Sequence, residues 1–119
     1  MRSDIKSPYA AYMATLPKGS MSVIFIAQRT DDDDDGYAAA ATAMGMLAAQ
    51  QPGYLGMESV RGASGLGITV SYWRSDDAAK AWRDHSDHKA IRDTGRERWY
   101  SHYSLHVAEI TLSYDWQKL

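Results

Sequence analysis

The 119-residue sequence predicts an α+β domain with the element order β-α-β-β-α-β. Three observations carry that expectation. A β-branched apolar run occupies residues 22–29, two strand-like segments in the middle of the chain are joined by glycines, and two stretches of helical spacing separate these from a final alternating segment. Elements in this order form a ferredoxin-like, four-stranded antiparallel sheet with both helices on one face.

Ser22-Val23-Ile24-Phe25-Ile26-Ala27-Gln28-Arg29 reads as a buried first strand. Its alternation puts Ile24, Ile26 and Gln28 on one face and Val23, Phe25 and Ala27 on the other. The Asp31–Asp35 run follows as a solvated approach to a helix, because aspartates favour the positive N-terminal end. From Tyr37 the spacing Tyr37, Ala41, Met44, Ala48 is that of an amphipathic helix, stopped at Gln51-Pro52-Gly53. Tyr54 to Val60, a turn over Gly62 to Gly65, and Ile68 to Trp73 make a hairpin. Ser75 is an N-cap for a second helix carrying Ala78, Ala79, Trp82, His85 or Ser86, and Lys89, which bends or breaks before Gly95. Tyr103 to Tyr114 is the last strand, anchored by Val107, Ile110 and Leu112. Residues 1–19, with Pro8 and Pro17 and no periodicity, are an extension whose Tyr9, Tyr12 and Met13 are expected to pack on the domain formed by residues 20–119.

Composition excludes several classes of function. There is no cysteine, hence no disulfide, thiolate metal site or Cys nucleophile. Outside the Asp run, 13 basic residues face 10 acidic ones, too even a balance for a nucleic-acid surface. No apolar run approaches the roughly 20 residues of a membrane span. The first residues lack the apolar stretch of a secretory signal, so the expected compartment is the cytoplasm. The serines have no nucleophile-elbow context, and Gly62, Gly65 and Gly67 join two strands rather than opening a helix, so they are no dinucleotide fingerprint. The first strand is apolar on both faces while helices cover only one, which predicts a homodimer through the other.

What remains for chemistry is histidine, aromatic rings and arginine. His85 and His88 stand three apart on the second helix, close enough to share a site as an acid/base pair or to fix the turn by hydrogen bonds. No third ligand is evident beside them, so no metal is expected. Trp73 and Trp82 flank a strand-to-helix turn, as core or as an aromatic wall for a planar ligand. Gln28 is a strand-end residue or a pocket donor. Trp99, Tyr100 and Tyr103, with Arg96 and Arg98, form an interface clamp or a pocket rim.

Four phrases, Gln51-Pro52-Gly53-Tyr54-Leu55-Gly56, Val70-Ser71-Tyr72-Trp73-Arg74-Ser75, Trp82-Arg83-Asp84-His85-Ser86-Asp87-His88 and Gly95-Arg96-Glu97-Arg98-Trp99-Tyr100, together resemble the antibiotic biosynthesis monooxygenase domain over residues 22–116. The resemblance implies a dimeric α+β barrel. It also implies a range of activities, from cofactor-free oxygenation of polyketide quinols to haem degradation. In the haem-degrading branch a first-strand Asn, a second-helix Trp and a further His ligand do the work, and here Gln28, Trp82 and Arg92 fall at or near those places. A guanidinium cannot ligate iron, whereas His88 lies one helical turn earlier.

Two functions follow as expectations. One is a small monooxygenase without a resident cofactor, acting on a phenol- or quinol-like aromatic molecule in a pocket between sheet and second helix. His88, His85 and Gln28 would be its catalytic groups, and Trp73, Trp82, Arg92 and Trp99 its binding groups. The other is a non-catalytic dimer that binds a small molecule or serves a stress role. A cavity of at least about 300 Å³ lined by Gln28 and Trp82 would favour chemistry.

Overall fold

The computed structural model describes residues 15–119; the expectation for Tyr9, Tyr12 and Met13 lies outside them. The chain runs β1 (Met21–Arg29), α1 (Asp34–Ala49), β2 (Tyr54–Arg61), β3 (Leu66–Trp73), α2 (Asp76–Arg83), α3 (Ser86–Thr94), a π turn (Gly95–Trp99) and β4 (Tyr100–Glu109). The strands form one antiparallel sheet in the order β2-β3-β1-β4. This is the ferredoxin-like arrangement, with the second helix split in two.

Sheet register decides which side chains meet the helices. Val23 is paired with Ser71 and Val107, and Phe25 with Thr69 and Leu105. These residues share the face beneath the helices, where Val23, Ala48, Trp73, Ala79 and Trp82 make the buried cluster. The opposite face carries the row Val60, Ile68, Ile26. There Val60 and Ile68 are exposed, and so is Leu66, partner of Gln28 across the β1–β3 ladder.

Two boundaries differ from the sequence reading. β4 begins at Tyr100 instead of Tyr103 because the π turn delivers the chain directly onto the sheet, the Tyr100 N–H donating to the Gly95 carbonyl. It ends at Glu109, so Ile110 and Leu112 fall beyond it. From there, among the described residues, the chain is held by isolated bonds: Ile110 N–H to Ser20 O at 2.8 Å, Gly19 N–H to Ile110 O at 3.0 Å and Leu16 N–H to Ser113 Oγ at 3.0 Å. Among the described residues, no helix is long and apolar enough to cross a membrane.

The Asp31–Asp35 run is more than a solvated approach. Asp33, in the left-handed backbone region at φ 56°, caps α1 by accepting from the Gly36 N–H. Its other carboxylate oxygen accepts from Trp99 Nε1 at 3.2 Å. Asp32 takes two bonds from Arg98, whose guanidinium holds the Asp32 carboxyl below the ordinary carboxylate range. The start of α1 and the π turn are therefore tied together.

Candidate active site

A cavity of about 420 Å³ lies between the sheet and the helices. Its origin is legible in α1, which presents Ala40, Ala41 and Gly45 to it, side chains too small to fill the space. The floor is Val23, Phe25, Thr69 and Ser71. Trp82, Arg83, His88, Ile91 and Arg92 form one wall, and Tyr37, Trp99, Tyr100 and Tyr103 the other end.

The helical wall is built around a break. α2 ends at Arg83, and His85, with extended backbone, restarts the helix as the N-cap of α3, its Nδ1 accepting from the Asp87 N–H at 3.2 Å. His85 is thus turned to the bend and is absent from the cavity lining. One turn on, His88 returns toward α2: its Nδ1 lies 3.1 Å from the Trp82 carbonyl oxygen. A carbonyl only accepts, so Nδ1 carries the proton and Nε2 is left with its lone pair when the ring is neutral. The His88 ring stacks on Trp82, centroids 4.5 Å apart, and Trp82 stacks in turn on Trp73 at 5.9 Å. Burial pushes the His88 pKa below its ordinary value of 6.5, and the charges of Arg92 and His85 push the same way, against the bond to Trp82, which raises it.

Besides His85, two more residues named from the sequence lie off the cavity lining. Gln28 does not line the cavity, because β1 turns Val23, Phe25 and Ala27 toward the helices and Gln28 away; its amide donates to the Ser64 carbonyl at 2.7 Å and holds the β2–β3 turn. Gly65 in that turn, at φ +92°, lies so close that a Cβ would come within 2.9 Å of the Gln28 amide nitrogen. Trp73 is not a wall beside Trp82 but lies behind it, fully buried, with Nε1 donating to Ser71 Oγ at 2.9 Å. Trp82, His88, Arg92 and Trp99 do line the cavity.

Sequence reasoning missed Arg83 and the hydroxyls of Ser71, Thr69 and Ser59. Register supplies the last three, since they alternate onto the face of Val23 and Phe25. Arg83 had a weaker signal, adjacency to Trp82, and its direction depends on the helix break. Its Nη1 and the Nε of Arg92 are buried without a hydrogen-bond partner among the described residues.

At the far end Tyr37 is held between two arginines, with the Arg29 guanidinium 4.1 Å and that of Arg61 5.3 Å from the ring centre. Arg61 Nη2 donates to Tyr37 Oη at 2.7 Å. Burial and the neighbouring Tyr37 hydroxyl push the Tyr100 phenol far up, so it stays protonated. Gly95 packs edge-on to this cluster; a Cβ there would stand 2.8 Å from the Tyr100 ring.

An antiparallel sheet with helices over one face, a mostly apolar cavity between them and the His88 imidazole in its wall, defines a small α+β domain. The chain belongs to the antibiotic biosynthesis monooxygenase family, whose profile matches residues 21–94. It is 42% identical over 99 residues to YqjZ of Bacillus subtilis, a protein described as uncharacterized, covering 83% of this chain and 87% of that one. Among solved structures, Rv0793 of Mycobacterium tuberculosis superposes with a TM-score of 0.68 at 17% identity, over 76% of this chain and 94% of its own. A variant of SnoaB, a cofactor-independent oxygenase from Streptomyces nogalater, gives 0.68 at 9% identity, over 79% and 95%. At these identities the structural likeness is one of fold.

Proposed function

We propose that this protein is a cofactor-independent monooxygenase for a phenol- or quinol-like aromatic molecule bound in the cavity. The observation that carries the reading is His88: a half-buried imidazole in the cavity wall, locked by Trp82 in the tautomer that leaves Nε2 as a base and kept neutral by burial. Nε2 removes the phenolic proton, and the arginines beside it favour the anion that forms. The electron-rich anion then reacts with dioxygen. A ring C–H para to the phenolate becomes a carbonyl as the phenol becomes a quinone, one oxygen atom of the dioxygen entering the product and the other leaving as water with the phenolic and the ring hydrogen, so the substrate supplies all the electrons. SnoaB, with the same fold, is described as a cofactor-independent oxygenase, which supports the reading.

Haem suits these residues poorly. Arg92 stands near the place of the iron ligand in the haem-degrading branch and a guanidinium has no lone pair for iron, while His88, whose Nε2 is free, lies one helical turn away from that place.

Phenols and quinols that raise the melting temperature should consume one dioxygen per product formed, in an oxygen-electrode assay with no added flavin, nicotinamide or metal. Stabilising ligands of this class that never consume oxygen would sink the enzyme reading and favour a binding protein. The exposed Val60, Leu66 and Ile68 face supports assembly as a homodimer. A monomer by light scattering at micromolar concentration would refute that assembly.

A further inference from the structure

Arg83 and Arg92 make one wall of the cavity cationic, and nothing among the described residues answers the charge. Among the described residues, Arg83 Nη1 and Arg92 Nε are buried without an acceptor, and neither side chain has an ion-pair partner. The carboxylates nearest in sequence, Asp84, Asp87 and Asp93, are all exposed to solvent, and none is bonded to either arginine. Among the described residues, no Asp or Glu lines the cavity. Leaving a charged donor buried and unsatisfied is costly, and arginine does not escape by losing its proton.

The other cavity-end arginines differ. Arg29, with its side chain only 6% exposed, donates to the Trp99 carbonyl and pairs with Asp34. Arg61 donates to Tyr37 and to the Gly65 carbonyl. The fold thus satisfies arginines where they serve packing.

We propose that the cavity takes a planar aromatic acid whose carboxylate is received by Arg83 and Arg92. Two donors each missing one acceptor match the two oxygens of a carboxylate, which arginine binds through paired N–H groups. The ring body lies against Trp82, Met44, Met57, Tyr100 and Tyr103, an apolar lining suited to flat hydrocarbon. The proposal rests on the cavity being the ligand site and is independent of the oxygen chemistry.

Calorimetric titration with 2-naphthoate and with the isosteric neutral 2-naphthamide tests it on the full chain. The wild-type protein should prefer the acid by about tenfold or more, the scale of a hydrogen bond to a charged partner. Arg83→Met and Arg92→Met should each reduce that preference at least severalfold, the affinity for the acid falling more than that for the amide. Equal affinity for acid and amide in the wild type would overturn the carboxylate assignment while leaving the cavity as a ligand site. Binding of neither compound would overturn both. A preference that persists in both folded variants would place the anion elsewhere and also refute the assignment. Should either variant fail to fold, the wild-type ratio decides.

Discussion

The two ends of the cavity use the same residue type in opposite ways. Around Tyr37, Arg29 and Arg61 are held by carbonyls, a carboxylate and an aromatic face. Along α2 and α3, Arg83 and Arg92 keep buried nitrogens that the described residues do not satisfy. A satisfied arginine contributes packing and hydrogen bonds to the fold. An unsatisfied one beside a cavity is an energetic defect in the empty protein that a ligand relieves, a common conflict between stability and function.

The largest effect expected from breaking this contrast is on turnover. With a phenolic substrate, His88→Ala should lower kcat by about 10²- to 10⁴-fold, the usual contribution of a general base. His85→Ala should keep kcat and lose about 1 kcal/mol of stability, since that ring caps α3 rather than lining the cavity. If both variants retain turnover and only melt earlier, neither His85 nor His88 is the base.

Next in size is stability. Arg29→Met should cost about 1–3 kcal/mol in chemical denaturation, because it removes the donors to Trp99 and Asp34 from a buried position. Arg92→Met should leave the unfolding midpoint unchanged or raised, having removed a charge with no partner among the described residues. Equal losses in the two would erase the distinction between the ends. Gly95→Ala should cost about 1–3 kcal/mol and displace Tyr100, measurable by near-ultraviolet circular dichroism, because the new Cβ meets that ring.

The smallest effect is on pH. The His88 pKa is depressed in the folded protein, so as pH falls below 6.5 the unfolded chain takes up the proton first. Stability from this group is intact above 6.5 and declines as pH drops through the folded value. The acid limb of kcat/KM should lie on the same side of 6.5, and His88→Gln should flatten the matching part of the melting profile.

Much of this was legible in the residues. Strand alternation, the Pro52-Gly53 stop and the Ser75 cap give the element order, because each is a local signal with one dominant structural outcome. The four-residue spacing of His88 and Arg92 put those two side chains on one side of a helix, whereas Trp82, six residues before His88, joins their wall across the helix break. The direction of Gln28 was not legible in its own strand: alternation sets it with Ile24 and Ile26, but both faces of β1 are apolar and do not say which one meets the helices. The helix break at Asp84-His85 was harder to read. It depends on an imidazole closing a helix start, a role sequence periodicity does not report. The unmet charge of Arg83 was invisible for a different reason, since an absent partner is a property of all surrounding side chains at once.

The π turn at Gly95–Trp99 sets a parity. A strand presents alternate residues to opposite faces, so the count of residues between the α3 wall and β4 determines whether Tyr103, Leu105 and Val107 look toward the helices or away. The wide turn, closed from Tyr100 back to Gly95 across five residues, holds one residue more than an α turn closed across four. Deleting a single residue there would shorten the chain only slightly, yet with the β1–β4 ladder re-formed one step over, Ser104 and His106 would take the places of Tyr103 and Leu105. An aromatic cavity edge would become a polar one through a change in counting alone.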